Sequence, residues 1–219
     1  MDIVQIIMST KEKIVSKALQ MFNERGIEYV GLRELAALLD MRVSNITYYF
    51  PTKDDLVNQL SLDLNLLNSV VVVPNQSISI YSFLEMLKAV FYNQVKYRCL
   101  LLSFVHLMEQ NKVMAKRYQQ TQENRNSALR LNLETLVKSG YIKPIGKIEI
   151  EFLGSTLALI IRFWISEAAV SYKSLTTNQQ IAHYIMLIIN LLLPYSTDKS
   201  KSDFERFMAE LMLTVEQEK

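Results

Sequence analysis

Residues 42–50 read RVSNITYYF, a short stretch that gathers four hydroxyl groups, a carboxamide and a guanidinium. The chemistry these groups offer is hydrogen-bond recognition. Asparagine, serine and threonine match donors and acceptors on base edges, arginine matches guanine, and an apolar group meets a thymine methyl. Nothing comparable points to catalysis. No Ser/His/Asp constellation, glycine-rich phosphate loop or metal cluster appears along the chain, so an enzyme is not expected. His106, His183 and Cys99 are the whole complement of histidine and cysteine, which leaves no zinc-ligand set and no expected cofactor. A single cysteine cannot form an intramolecular disulfide and fits a reducing cytoplasm.

For these groups to be displayed, a scaffold must hold them. Placed on a helix, Ile46 and Phe50 share one face and can pack on Phe22, Leu35 and Leu39. Ser44, Thr47 and Tyr48 fall on another face, with Val43 and Asn45 at its edges. The flanking punctuation defines the neighbouring helices. Ser9 with Glu12 has the form of a capping box, Ile14, Val15, Ala18, Leu19 and Phe22 make an apolar stripe, and Gly26 is a stop. A short helix over 32–39 ends at Asp40, which tolerates left-handed geometry. The third helix, 43–50, is stopped by Pro51. Thr52 then caps a helix over 53–68 whose first turn carries Asp54 and Asp55. Two short helices joined by a tight turn form a helix-turn-helix, whose second helix offers its exposed face to the DNA major groove.

Gly26, "GLRELAALLDM" (31–41) and "NITYYFPTKDDL" (45–56) resemble the N-terminal domain of the tetracycline-repressor (TetR) family, in register and without a gap. The resemblance covers about the first 60 residues. It departs at Gly31, Asp40, Arg42 and Thr47, where the family usually has Thr or Ser, Gly, Ser and Tyr. It implies a dimeric transcription regulator, most simply a repressor released from a palindromic operator by a small molecule. Lys53 is similar to the family's phosphate-contacting lysine. The candidate DNA-binding residues are Arg33, Arg42, Val43, Ser44, Asn45, Thr47, Tyr48 and Lys53, while Ile46, Phe50 and Tyr49 are read as core. Charge does not add to this reading. Residues 1–60 hold 7 Lys/Arg and 8 Asp/Glu, a net of −1, so affinity must come from local placement at Arg33, Arg42 and Lys53.

Half of the residues are hydrophobic, with 5 Gly and 4 Pro, as in a well-packed helical globule. Helices are predicted over 80–96, 98–110, 112–139, 148–172, 177–193 and 202–217, with a loop at 71–79, so the fold class is all-α. The expected domains are a helix-turn-helix domain, 1–52, linked through helix 53–68 to a helical ligand-binding and dimerisation domain, 53–219. No membrane partner is expected: the apolar runs 152–165 and 185–193 carry Arg162 and Asn190 and fall short of the roughly 20 apolar residues of a spanning helix. The N-terminus lacks the pattern of a secretory signal, which also points to the cytoplasm.

Most methionines and aromatics of the second half read as core. Met86, Phe91, Phe104, His106, Met108, Tyr118 and Trp164 are the candidate lining of a pocket for an apolar or aromatic effector. The helices at 148–172 and 177–193 are apolar almost all round, so one face of each needs a partner. Gly154, Ala158, Ile181, Ile185, Ile188 and Leu192 are the candidate homodimer seam, with burial inside one large chain as the competing reading. The alternative function is a helical binding protein controlled by a protein or lipid partner, without sequence-specific DNA binding.

Overall fold

Ser9 opens the first helix, α1 (Thr10–Arg25), by the reciprocal bonds of a capping box with Glu12, and Gly26 closes it at φ 92°, a backbone state that disfavours any side chain. This is a computed structural model, and it describes residues 8–71 and 78–217. α2 (Leu32–Leu38) and α3 (Val43–Tyr49) follow, separated by Asp40 at φ 53°. α4 (Lys53–Val71) starts with Thr52 and Asp55 bonded reciprocally, and the expected loop at 71–79 falls mostly outside the described residues. Next come α5 (Ile80–Lys96), α6 (Arg98–Leu102) and α7 (Phe104–Gln110). α8 (Lys112–Lys138), α9 (Lys147–Ser171), α10 (Thr177–Leu192) and α11 (Lys201–Glu216) complete the chain. Among the described residues there is no strand, only one isolated bridge between Ile142 and Ser196, and no helix is long and apolar enough to cross a membrane. The all-helical expectation is therefore met, with helix ends within a few residues of their predicted places.

The helix expected over 98–110 is interrupted at Ser103, whose backbone sits at φ −92°, ψ 13°. Ser103 is buried there, and its hydroxyl helps to hold the Glu28 carboxyl below its ordinary value.

The described residues fall into two compact units. The first comprises the chain up to Asn65 together with Tyr97–Ala115; the second comprises Leu66–Lys96 and the chain from Lys116 onward. In the first, α6 packs on α1, and Asn23 Oδ1 accepts from the Cys99 main-chain N–H at 3.0 Å. Ile14, Ala18, Phe22, Leu35, Ile46, Leu56 and Leu60 are its fully buried centre. Cys99 belongs to that interior, and burial pushes its thiol up to about 12. The inclusion of α6 and α7 in this unit left no mark in the sequence pattern.

In the second unit α10 packs on α5, α9 and α11. Phe91 stacks on Trp164 with ring centroids 4.7 Å apart. The Trp164 indole N–H donates to Gln94 Oε1 at 2.6 Å, and Gln94 Nε2 donates to the Ile161 carbonyl at 3.0 Å, so this buried amide is satisfied at both ends.

This packing corrects most of the expected dimer seam. Ile181, Ile185, Ile188 and Leu192 are each 0% exposed in the single chain, because α10 is enclosed by its own neighbours. Gly154 also faces inward: a Cβ there would stand 3.4 Å from Arg130 Cγ and 3.9 Å from Leu133 Cδ1 of α8, in ordinary contact. Of the expected residues only Ala158 keeps exposed surface. The uncovered apolar stripe lies beside it, at Ile148, Phe152, Leu159 and Val170 of α9 with Leu187 of α10.

Candidate nucleic-acid interface

α3 is held by two anchors. Ile46 is completely buried and Phe50, just past the helix end, nearly so, with Lys11 Nζ 5.7 Å from the Phe50 ring centre. The turn before it is tightened by the Met41 N–H, which donates to the Ala36 carbonyl at 2.9 Å. Asp40 supplies the positive φ that this turn demands. α2 and α3 begin at Gly31 and Arg42, neither of which gives a side-chain cap. The Asn45 N–H donates to the Arg42 carbonyl at 2.9 Å, and the first two N–H groups of each helix remain for another partner.

With Ile46 and Phe50 inward, Arg42, Val43, Ser44, Asn45 and Tyr48 are all exposed. Tyr48 is 79% exposed. Thr47 is half-buried and its hydroxyl lies 3.4 Å from the Ser44 carbonyl, so it is less displayed than its neighbours in the predicted set on α3. Tyr49 corrects an expectation. It is exposed, not core, and meets Tyr48 edge to face with centroids 5.0 Å apart. Its position beside Ile46 on the helical wheel pointed inward, yet α3 ends at Tyr49 and no further turn covers the ring. It is the residue that sequence reasoning left out of this surface.

The cations separate by environment. Arg33 and Arg42 are exposed and enter no ion pair among the described residues, while Arg25 is engaged with Glu34. Lys53 is only half-exposed, and its ammonium donates to the Ile27 carbonyl at 2.9 Å. It ties the start of α4 to the connection after α1 and keeps two N–H groups for any external anion. Nearby, burial favours the neutral form of Glu28. The Ser103 hydrogen bond, a main-chain bond and the charges of His106 and Lys53 outweigh it, and the carboxyl sits below its ordinary value.

The candidate pocket residues are divided between the units. Met86, Phe91, Tyr118 and Trp164 lie in the second; Phe104, His106 and Met108 lie in the first. His106 is exposed next to Glu28, which corrects its placement in an apolar lining. Phe91 and Trp164 form the stacked core pair already described. The Tyr184 hydroxyl, beside Trp164 with ring centres 5.6 Å apart, is buried without a hydrogen-bond partner.

Comparison with known proteins bears on both units. A family profile described as "Bacterial regulatory proteins, tetR family" matches residues 14–60, and one described as "TetR: Bacterial transcriptional repressor" matches residues 63–204. A protein of Bacillus subtilis (strain 168) named Probable HTH-type transcriptional regulator YttP is 40% identical over 53 residues. That match spans 24% of this chain and 26% of the relative. Among solved structures, a TetR-family transcriptional regulator from Marinobacter aquaeolei VT8 aligns with a TM-score of 0.81 at 19% identity, covering 96% of this chain and 98% of its own. The TetR-family regulator PfmR from Thermus thermophilus aligns with a TM-score of 0.65 at 12% identity, over 85% and 97%.

Proposed function

Since the chain belongs to the TetR family of bacterial transcriptional regulators, we propose that it is a dimeric repressor released from its operator by a small apolar or aromatic ligand. The observation that carries this reading is the division of labour on α3. Ile46 and Phe50 fix the helix, and Arg42, Val43, Ser44, Asn45 and Tyr48 stand free of it in the types that read base edges. Asn45 and Arg42 take the direct contacts, with Tyr48, Tyr49, Ser44, Thr47 and Val43 alongside. Arg33 and Lys53 hold phosphates, and such contacts fix register without carrying sequence.

A repressor role is supported by the match of residues 63–204 to a profile of bacterial transcriptional repressors. Dimerisation is supported by the uncovered residues Ile148, Phe152, Leu159 and Val170, which share one face of α9 by their helical spacing, and by exposed Leu187 of α10, since exposed apolar surface of this kind marks a protein contact. A two-fold dimer would set the two copies of α3 roughly 34–36 Å apart, one turn of DNA, or a multiple of it. The ligand reading draws on the aromatic interior of the second unit and the partnerless Tyr184 hydroxyl. α4 is one unbroken helix from Lys53 to Val71, a stiff rod on which a shift at one end reaches the other. A tenfold loss of operator affinity requires only about 1.4 kcal/mol of coupling.

The test is fluorescence-anisotropy titration of a bound palindromic duplex, with and without each ligand that raises the melting temperature. A stabilising ligand should weaken the duplex affinity about tenfold or more. Stabilising ligands that leave it unchanged would make the protein a constitutive DNA binder.

A further inference from the structure

α9 is apolar along most of its length, yet its middle carries Arg162. The Arg162 guanidinium carbon lies 5.7 Å from the centre of the Tyr118 ring and 5.9 Å from that of Phe163. From α8, Arg125 reaches the same Tyr118 ring, with its guanidinium carbon 4.7 Å from the centre. Arg125 also donates to Thr121 Oγ1 at 3.0 Å, and that hydroxyl donates back to the Arg117 carbonyl at 3.1 Å. Arg117, next to Tyr118, has a buried Nη1 with no hydrogen-bond partner.

Two arginines thus reach one tyrosine ring, with a third, Arg117, next to it in the chain. Among the described residues none of the three enters an ion pair. The same two helices show what a neutralised pair looks like, since Arg130 of α8 meets Glu151 of α9 at 3.1 Å. Although Arg125 is exposed as a whole residue, packing around its guanidinium lowers its pKa; Tyr118 opposes this and the charge of Arg162 adds to it. An arginine cannot escape by losing its proton. An aromatic face attracts each cation but leaves the charges un-neutralised. The arrangement lacks an anion.

We propose that Arg125 and Arg162, whose guanidinium groups both reach the Tyr118 ring, receive the oxyanion of the effector, a carboxylate or a phosphate on an otherwise apolar molecule. The planar guanidinium fork matches the paired oxygens of either group. This inference rests on the reading that the second unit holds an effector, and it supplies that effector with a charged end.

The experiment uses the full chain and three probes of equal chain length, decanoate, decyl phosphate and decanol. Binding is read as the rise in melting temperature and as affinity by calorimetry. At least one charged probe should bind the wild type, and decanol should bind clearly more weakly; whichever charged probe wins distinguishes carboxylate from phosphate. Arg125→Met and Arg162→Met should each reduce that affinity about tenfold or more, the loss of a charged hydrogen bond. Without probe, each variant should melt at or above the wild-type temperature, because one of two like charges has gone. Arg130→Met, which breaks a neutralised pair, should melt lower and bind the probe as before.

Failure of both charged probes, equal binding of decanol, or unchanged affinity in both arginine variants overturns the proposal. So does a loss of dimer in Arg162→Met with no response to anions, which would assign the missing counter-charge to a second copy. Charged-probe binding that leaves operator affinity unchanged keeps the oxyanion site and removes the effector reading. Operator release by an uncharged ligand, insensitive to both variants, does the reverse.

Discussion

Of the seven residues of α3 only Ile46 is buried, with Phe50 just after the helix as a second anchor, whereas α10 buries Ile181, Ala182, Tyr184, Ile185, Ile188, Ile189 and Leu192 out of sixteen. The two helices use their side chains in opposite ways. α3 commits the least apolar surface that will hold it and displays the rest. α10 is enclosed by α5, α9 and α11, and Leu187 is its main exposed apolar residue. A helix with few apolar positions reveals which face is inward, because every apolar residue is needed there. One that is apolar all round does not distinguish burial in its own chain from burial against another.

The largest expected effect separates these two kinds of apolar residue in the C-terminal half. Ile185→Asp should unfold the protein or leave it insoluble, since an unpaired buried charge costs several kcal/mol against a total stability of about 5–15. Leu159→Asp, one helix away on the uncovered stripe, should keep its helical circular dichroism and run as a monomer by light scattering. A folded, dimeric Leu159→Asp would move the interface elsewhere.

Next in size are the residues that α3 displays. Arg42→Ala and Asn45→Ala should each lose roughly 1–3 kcal/mol of discrimination at particular base pairs, with thermal stability unchanged. Competition titrations across single-base operator variants measure this. A uniform loss at every position would demote either residue to a backbone contact.

Lys53 holds the fold through the Ile27 carbonyl and is also a proposed phosphate contact. Lys53→Met removes the bond to the Ile27 carbonyl and should lower stability by about 1 kcal/mol at this half-exposed position. It should also reduce the salt dependence of operator binding by about one counterion. A change in only one of the two would assign Lys53 a single role.

The smallest effect concerns Glu28. Its folded-state carboxyl lies below the ordinary value of 4.5, so ionised Glu28 adds stability that is complete above that pH. The contribution fades as pH falls through the lower, folded value. The difference in urea midpoint between wild type and Glu28→Gln should therefore hold steady at neutral pH and shrink below about pH 4.5. A difference that grew on acidification would reverse the sign of the interaction.

Much of the fold was legible because local signals agreed with one another. Ser9 and Glu12, Gly26, Asp40, Pro51 and Thr52 each punctuate the chain through a backbone or capping preference that needs no tertiary information. The polar face of α3 followed from its two anchors. What stayed hidden depended on neighbours distant in sequence. Tyr49 is exposed because the chain leaves the helix there. Lys53 is partly engaged because Ile27 offers a carbonyl, and Gly154 is a contact with Arg130 and Leu133. Arg162 was visible as a charge in an apolar run, but only the fold brings Arg125 to the same ring.

Selection from a pool of random duplexes shows directly whether α3 reads DNA in a two-fold dimer, as proposed. The wild type should enrich a palindrome with half-sites about one helical turn apart or a multiple of it, and Asn45→Ala should relax the choice at one symmetric pair of positions. Recovery of no common sequence, or of one that Asn45→Ala and Arg42→Ala leave unaltered, would contradict that proposal.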